Sequence, residues 1–177
     1  MLKNLKFLDI FIIFFLSFLF HFIYNWFPNK IIAIFFPINE SIWEHMKLII
    51  TPFYLIGIFD YICLIKKKIN FNNFFLQLFI IPIIGIIIYL IILLPIYNLI
   101  GDNMFISISL LFLVIILEQF LSFKLLNFKN IKYQNIIGFI GIIIVYIVFG
   151  YLTYNPPLNY VFYDTLNNKY GINIYKK

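Results

Sequence analysis

Apolar residues fall into five long runs, about 7–27, 46–65, 74–94, 104–123 and 134–154, separated by short stretches rich in lysine and asparagine. A helix rises about 1.5 Å per residue, so roughly 20 apolar residues cover a hydrocarbon core about 30 Å thick. The pattern predicts an all-α integral membrane bundle of about five transmembrane helices; four spans is the alternative arrangement. Residues 1–177 then form a single transmembrane domain, with a polar loop over 28–45 and an extended C-terminal tail over 155–177. Pro52 and Pro82 lie inside the second and third runs, where they are expected to kink helices whose freed carbonyls are satisfied by neighbours. Lys3 and Lys6 before the first run resemble the start of a signal peptide. That run is long, however, and no small-residue cleavage site follows it, so it is expected to be a retained span.

Composition sharpens this picture. With 64% apolar residues, 11% charged residues and a mean hydropathy of +1.01, the chain cannot hide its apolar surface inside one soluble core, and the lipid bilayer has to be its solvent. Arginine is absent while Ile, Phe, Asn, Lys and Tyr abound, the imprint of an AT-rich genome on codon choice. Lys, Asn and Tyr therefore carry little functional information, and Trp, His, Pro and Glu carry more. The net charge of +6 would suit nucleic acid in a soluble protein. Here the lysines stand at the ends of apolar runs and act as topology signals, so no nucleic-acid partner is expected and protein partners stay open. The lone Cys63 has no disulfide partner. If five helices alternate, Lys3, Lys6, Lys66, Lys67, Lys68, Lys124, Lys129 and Lys132 share one side; Lys30, Lys47, Lys169, Lys176 and Lys177 oppose them. The majority places the N-terminus in the cytoplasm and the C-terminus outside, in a bacterial cytoplasmic membrane.

Both histidines, both tryptophans and two of the three glutamates lie between residues 21 and 45. With this orientation they gather on the outer side, because His21 lies about 21 Å beyond Phe7 along a helix. Trp26 and Trp43 suit an aromatic belt at the membrane surface. Ser41 and Glu44 have capping-box spacing, so a helix is expected to begin near Ile42, with Glu44 reaching back over it. Asn39 is an alternative cap one turn earlier, which would put Glu40 and Glu44 on one face with Lys47 after them. The plain interpretation is an acidic, capped helix start at the membrane surface with His45 solvated. The functional one is an outward polar site of His21, Asn39, Glu40, Ser41, Glu44 and His45, with Asp164 of the tail. His21, Glu40, Glu44 and His45 are candidate ligands for a divalent metal, although their spacing matches no established zinc pattern. His21 and Asn25 form an HxxxN pair on one helical face, as in membrane-embedded prenyl-endopeptidase-like proteases, but that family's paired glutamates followed by arginine are missing.

Asp60 and Glu118 each precede a lysine by six residues, Lys66 and Lys124, about 9 Å inside the cytoplasmic boundary. They are expected to face the bundle or to snorkel toward those lysines. The tail is expected to run extended after Pro156 and Pro157 and to turn at Asn167 and Asn168, either as a surface strand or as a lid over the polar site.

The segment Pro37-Ile-Asn-Glu-Ser-Ile-Trp-Glu-His-Met-Lys47, with His21, Tyr24 and Trp26 before it and Asp164, Tyr170, Gly171 and Ile172 after it, resembles a Firmicutes-type family of small, uncharacterised bacterial multi-pass membrane proteins marked by PxNESxWEHxK. Two positions depart from that family's pattern, Asn25 in place of an acidic residue and Thr165 in place of a proline. The first puts a required first-span carboxylate in doubt. The resemblance implies the fold and the importance of the segment, and no activity. Three functions fit these features. The first is a non-enzymatic protein binding a ligand, ion or partner at the outward site. The second is a membrane-embedded metal-dependent hydrolase with a glutamate as general base. The third is a proton- or cation-coupled carrier using Asp60 and Glu118.

Overall fold

A computed structural model describes residues 1–172 and the backbone of residues 174 and 175; Lys176 and Lys177, counted above among the outer lysines, lie outside the described residues. The chain forms an all-α bundle. Helix α1 spans Leu2–Trp26, and two short turns, α2 (Ile32–Phe35) and α3 (Ile42–His45), lead into α4 (Lys47–Lys66). Helices α5 (Phe74–Ile100), α6 (Met104–Leu126) and α7 (Gln134–Tyr154) follow. The tail carries three two-residue antiparallel strands, β1 (Tyr163–Asp164), β2 (Lys169–Tyr170) and β3 (Ile174–Tyr175). Because α3 continues directly into α4, five helical stretches among the described residues are long and apolar enough to cross a membrane. Helix α5 runs to Ile100, past the position 94 where its apolar run was expected to stop, and takes Pro95 inside it as well as Pro82.

The stretch Ile42–Lys66 is the centre of the bundle: 61% of its most apolar window is buried, against 22–33% for the other four. Those four turn broad apolar faces outward, such as Phe7, Phe11, Phe15 and Phe22 on α1, as helices in lipid must. Close approach of α5 and α7 depends on glycine, since a Cβ at Gly138 would run into the backbone of Phe75.

Helices α1 and α4 are antiparallel partners held at three heights. At one end the buried Lys6 ammonium pairs with Asp60 and, at 3.2 Å, with Asp9. Midway, Ser17 Oγ donates to Leu48 O at 2.9 Å. At the other end His21 meets His45, with Nε2 atoms 3.1 Å apart. Fifteen residues separate Lys6 from His21, and fifteen separate His45 from Asp60, so all three ties belong to a single register. Asp60 therefore faces the bundle rather than snorkelling to Lys66, and Lys6 is an interior residue rather than a free topology signal. Glu118 also does not snorkel; it is 1% exposed, and neither carboxylate oxygen has a partner among the described residues.

Candidate functional site

The histidine-bearing end of the α1/α4 pair is built by the loop between them. Asn29 Oδ1 accepts the amides of Ile31 and Ile32, which starts α2. Thr51 Oγ1, donating to Phe35 O at 2.7 Å, ties the end of that turn down onto α4. The chain then passes through Pro37 to Asn39, whose Oδ1 takes the Ser41 amide at 3.0 Å while its Nδ2 donates to Gly171 O at 3.1 Å. Ser41 caps α3 through Oγ, which accepts the Glu44 amide at 3.3 Å. Asn39 and Ser41 thus shape the backbone on either side of Glu40.

Glu40 lies between the two histidines. Its Oε2 is 3.3 Å from His21 Nε2 and 3.2 Å from His45 Nε2. With the 3.1 Å between the two Nε2 atoms, the three electron-pair-bearing atoms form a nearly equilateral triangle. The imidazoles are stacked, with ring centroids 5.2 Å apart and planes 16° from parallel. All three side chains are partly exposed, Glu40 the most at 33%. Hydrogen bonds from His21 and His45 hold the Glu40 carboxyl well below the usual carboxylate range, against the opposing effect of burial. Among the described residues this is the one group of three or more His, Cys, Asp or Glu ligand atoms near enough together to hold a metal ion.

Glu44 is elsewhere. Its carboxylate does not complete the capping box, because the Ser41 amide is already taken by Asn39; it turns inward and accepts the Ile38 amide at 3.1 Å. There it meets Lys47 Nζ at 2.5 Å and Thr153 Oγ1 at 2.9 Å, and Lys47 also donates to Thr153 and to Ala33 O, each at 2.7 Å. Glu44 and Lys47 are each 1% exposed. The carboxylates of the segment therefore diverge: Glu40 goes to the histidines, and Glu44 goes to an interior ion pair joining α3, α4, α2 and α7. Lys47, counted above among the topology signals, is the cation of that pair; its i,i+3 spacing from Glu44 was the available signal. Thr153 had no such signal, since it lies more than a hundred residues away.

Asp164 does not reach the histidines. It is fully buried and holds its own turn, with Oδ1 accepting the amides of Leu166 and Asn167 and Oδ2 accepting Asn167 Nδ2 at 2.8 Å. The turn falls at Asn167 and Asn168, with Asn168 left-handed at φ 51°. Trp43 is likewise not a belt residue: it stacks between Phe149 of α7 and Phe162 of the tail, at 4.7 and 4.9 Å, and its amide donates to Val161 O. Trp26, 55% exposed at the end of α1, keeps the position a belt residue would have. With the tail clamped in this way, Asn167 and Lys169 come to line a cavity of about 280 Å³ beside the triangle, together with His21, Asn25 and Glu40.

The model of a family described as a family of unknown function, DUF6512, matches residues 2–172. No curated protein and no solved structure matches the chain.

Proposed function

The chain belongs to DUF6512, a family whose description carries no activity, and from the site alone we propose that it holds a divalent transition-metal ion between His21, Glu40 and His45. The triangle of ligand atoms is the observation that carries this. A tetrahedral ion with bonds of about 2.0–2.1 Å keeps its ligand atoms about 3.4 Å apart, and the three edges measure 3.1, 3.2 and 3.3 Å. If both Nε2 atoms carry a proton to bond Glu40, two N–H groups crowd each other at 3.1 Å, whereas a cation among three unprotonated atoms attracts a lone pair from each. Two imidazoles and a carboxylate form a donor set that suits zinc with a fourth position kept open, and ferrous iron in octahedral geometry. We take zinc as the occupant to test first.

Binding rather than hydrolysis is the role these contacts favour. A positioned general base speeds metal-dependent hydrolysis, and Glu44, the neighbouring carboxylate, is held by Lys47 and Thr153 instead. The lysine bias puts the site on the outer face of a cytoplasmic membrane; Lys6 and Lys47 are both buried, and setting aside one from each side leaves that bias in place. Purification in detergent followed by elemental analysis tests the proposal. Near-stoichiometric zinc is expected in the wild type, with the content falling to background in His45→Ala and Glu40→Ala. Wild-type zinc no higher than in those two variants would overturn it.

A further inference from the structure

The cavity beside the triangle is larger than coordination of an ion needs, and the character of its walls is informative. At about 280 Å³ it exceeds many times the roughly 30 Å³ share of one liquid water. Its walls come from three segments, the loop between α1 and α4 supplying Pro37, Ile38, Asn39 and Glu40. The end of α1 contributes His21 and Asn25, and the tail hairpin contributes Asn167 and Lys169. Glu40 is the one carboxylate on its lining, and both histidines already engage it. Lys169 is half-buried and makes no ion pair among the described residues. Asp164 pairs with it across the β1/β2 register, yet the Asp164 oxygens are taken by Leu166 and Asn167. The hairpin therefore contributes to the lining a lysine with no ion-pair partner among the described residues, and turns its own carboxylate into the turn behind it.

We propose that this cavity binds a phosphate-type oxyanion, with one oxygen directed to the metal ion and the others to the Lys169 ammonium and the Asn25 and Asn167 amides. This rests on the metal assignment above, because a divalent ion and Lys169 together outweigh Glu40 and leave the cavity positive. A tetrahedral oxyanion has oxygens for donors on separate walls, whereas the two coplanar oxygens of a carboxylate serve fewer of them. Charge-assisted hydrogen bonds to such an anion are shorter and stronger than neutral ones. Asp164 is a positioning residue here: it holds the turn that places Asn167 and Lys169.

The test uses the full chain in detergent, loaded with zinc, and follows inorganic phosphate by equilibrium dialysis alongside zinc content. Lys169→Met is expected to keep its zinc and lose phosphate affinity by about tenfold or more, and zinc-stripped wild type is expected to bind phosphate as weakly. Asn25→Ala, on α1 rather than the tail, supplies a second variant outside the hairpin and is expected to weaken binding as well. Repeating the measurement in nanodiscs separates the sources of the anion. Competition by phosphatidate-containing discs but not by phosphatidylcholine discs assigns the site to a lipid headgroup, and equal phosphate binding in both assigns it to a soluble phosphate; either supports the proposal. Stoichiometric zinc with phosphate binding absent, or unaffected by both Lys169→Met and Asn25→Ala, overturns the oxyanion site and leaves the metal site standing. A wild type without zinc removes the metal assignment and this proposal together.

Discussion

Glu40 and Glu44 differ by four positions and by the whole of their chemistry. A helix running back to Asn39 would have stacked them on one face, but Asn39 spends its Oδ1 on the Ser41 amide, and the Ser41 hydroxyl caps the helix that begins at Ile42. Glu40 is left in the preceding turn beside His21 and His45, and Glu44 enters the interior. The Glu44–Lys47 pair is worth keeping intact because each member is desolvated. Breaking one partner of a buried pair typically costs about 3–5 kcal/mol. Lys47→Met is therefore expected to lower the unfolding midpoint sharply in a detergent melt, and the double variant Glu44→Gln/Lys47→Met is expected to recover part of the loss. Thr153→Val removes the donor to Glu44 Oε1 and is expected to cost about 1–3 kcal/mol in the same assay. Equal stability of wild type and Lys47→Met would mean that this pair does not hold the loop to α7. The signals for these roles differed in kind. The His, Glu and Trp crowding was legible from rarity in a biased composition. The partner that completes each role was not, because Thr153, Asn167 and Lys169 come from distant parts of the chain.

Register is what the elements contribute. Helices α1 and α4 hold the Lys6–Asp60 pair, the Ser17–Leu48 bond and the histidine pair in one antiparallel alignment, so the candidate site depends on the whole length of two helices. Ser17→Ala removes the middle tie and is expected to cost about 0.5–1.5 kcal/mol while keeping zinc, since both end ties remain; loss of zinc in that variant would place the register under Ser17 alone. Helix α6 meets α5 at a second critical point, where a Cβ on Gly85 would run into the Glu118 carboxylate. Gly85→Ala is expected to destabilise by about 1–3 kcal/mol as overpacking, and the penalty is expected to shrink when Glu118→Ala makes room. Additive effects of the two substitutions would show that the contact does not limit the approach of these helices. The Trp43 sandwich between Phe149 and Phe162 does for the tail what register does for the helices, and it turns an expected extended tail into a hairpin standing beside the site.

For the molecule as a whole, five apolar helices with broad outward-facing apolar surfaces make a bundle suited to lipid. The orientation proposed from lysine placement is open to direct measurement. In a Cys63→Ala background, Lys67→Cys is expected to resist an impermeant thiol reagent in intact cells and Lys30→Cys to react; the reverse pattern would put the candidate metal site on the cytoplasmic side. The number and approximate extents of the long helices were legible from the chain alone, because the length and apolarity needed to cross a bilayer are properties of contiguous segments. The five long helices begin and end within a few residues of the apolar runs, apart from the extensions of α1 back to Leu2 and of α5 on to Ile100. Which polar residues meet was decided by packing. His21 and His45 are 24 residues apart and meet through the antiparallel register of two helices; Glu44 and Thr153 meet because α7 closes against α2 and the loop. A carboxylate or imidazole is the same residue type whether it caps a turn, pairs with a buried lysine or faces a cavity. Its partner, and so its chemistry, is set by neighbours that only the folded chain brings within a few ångströms.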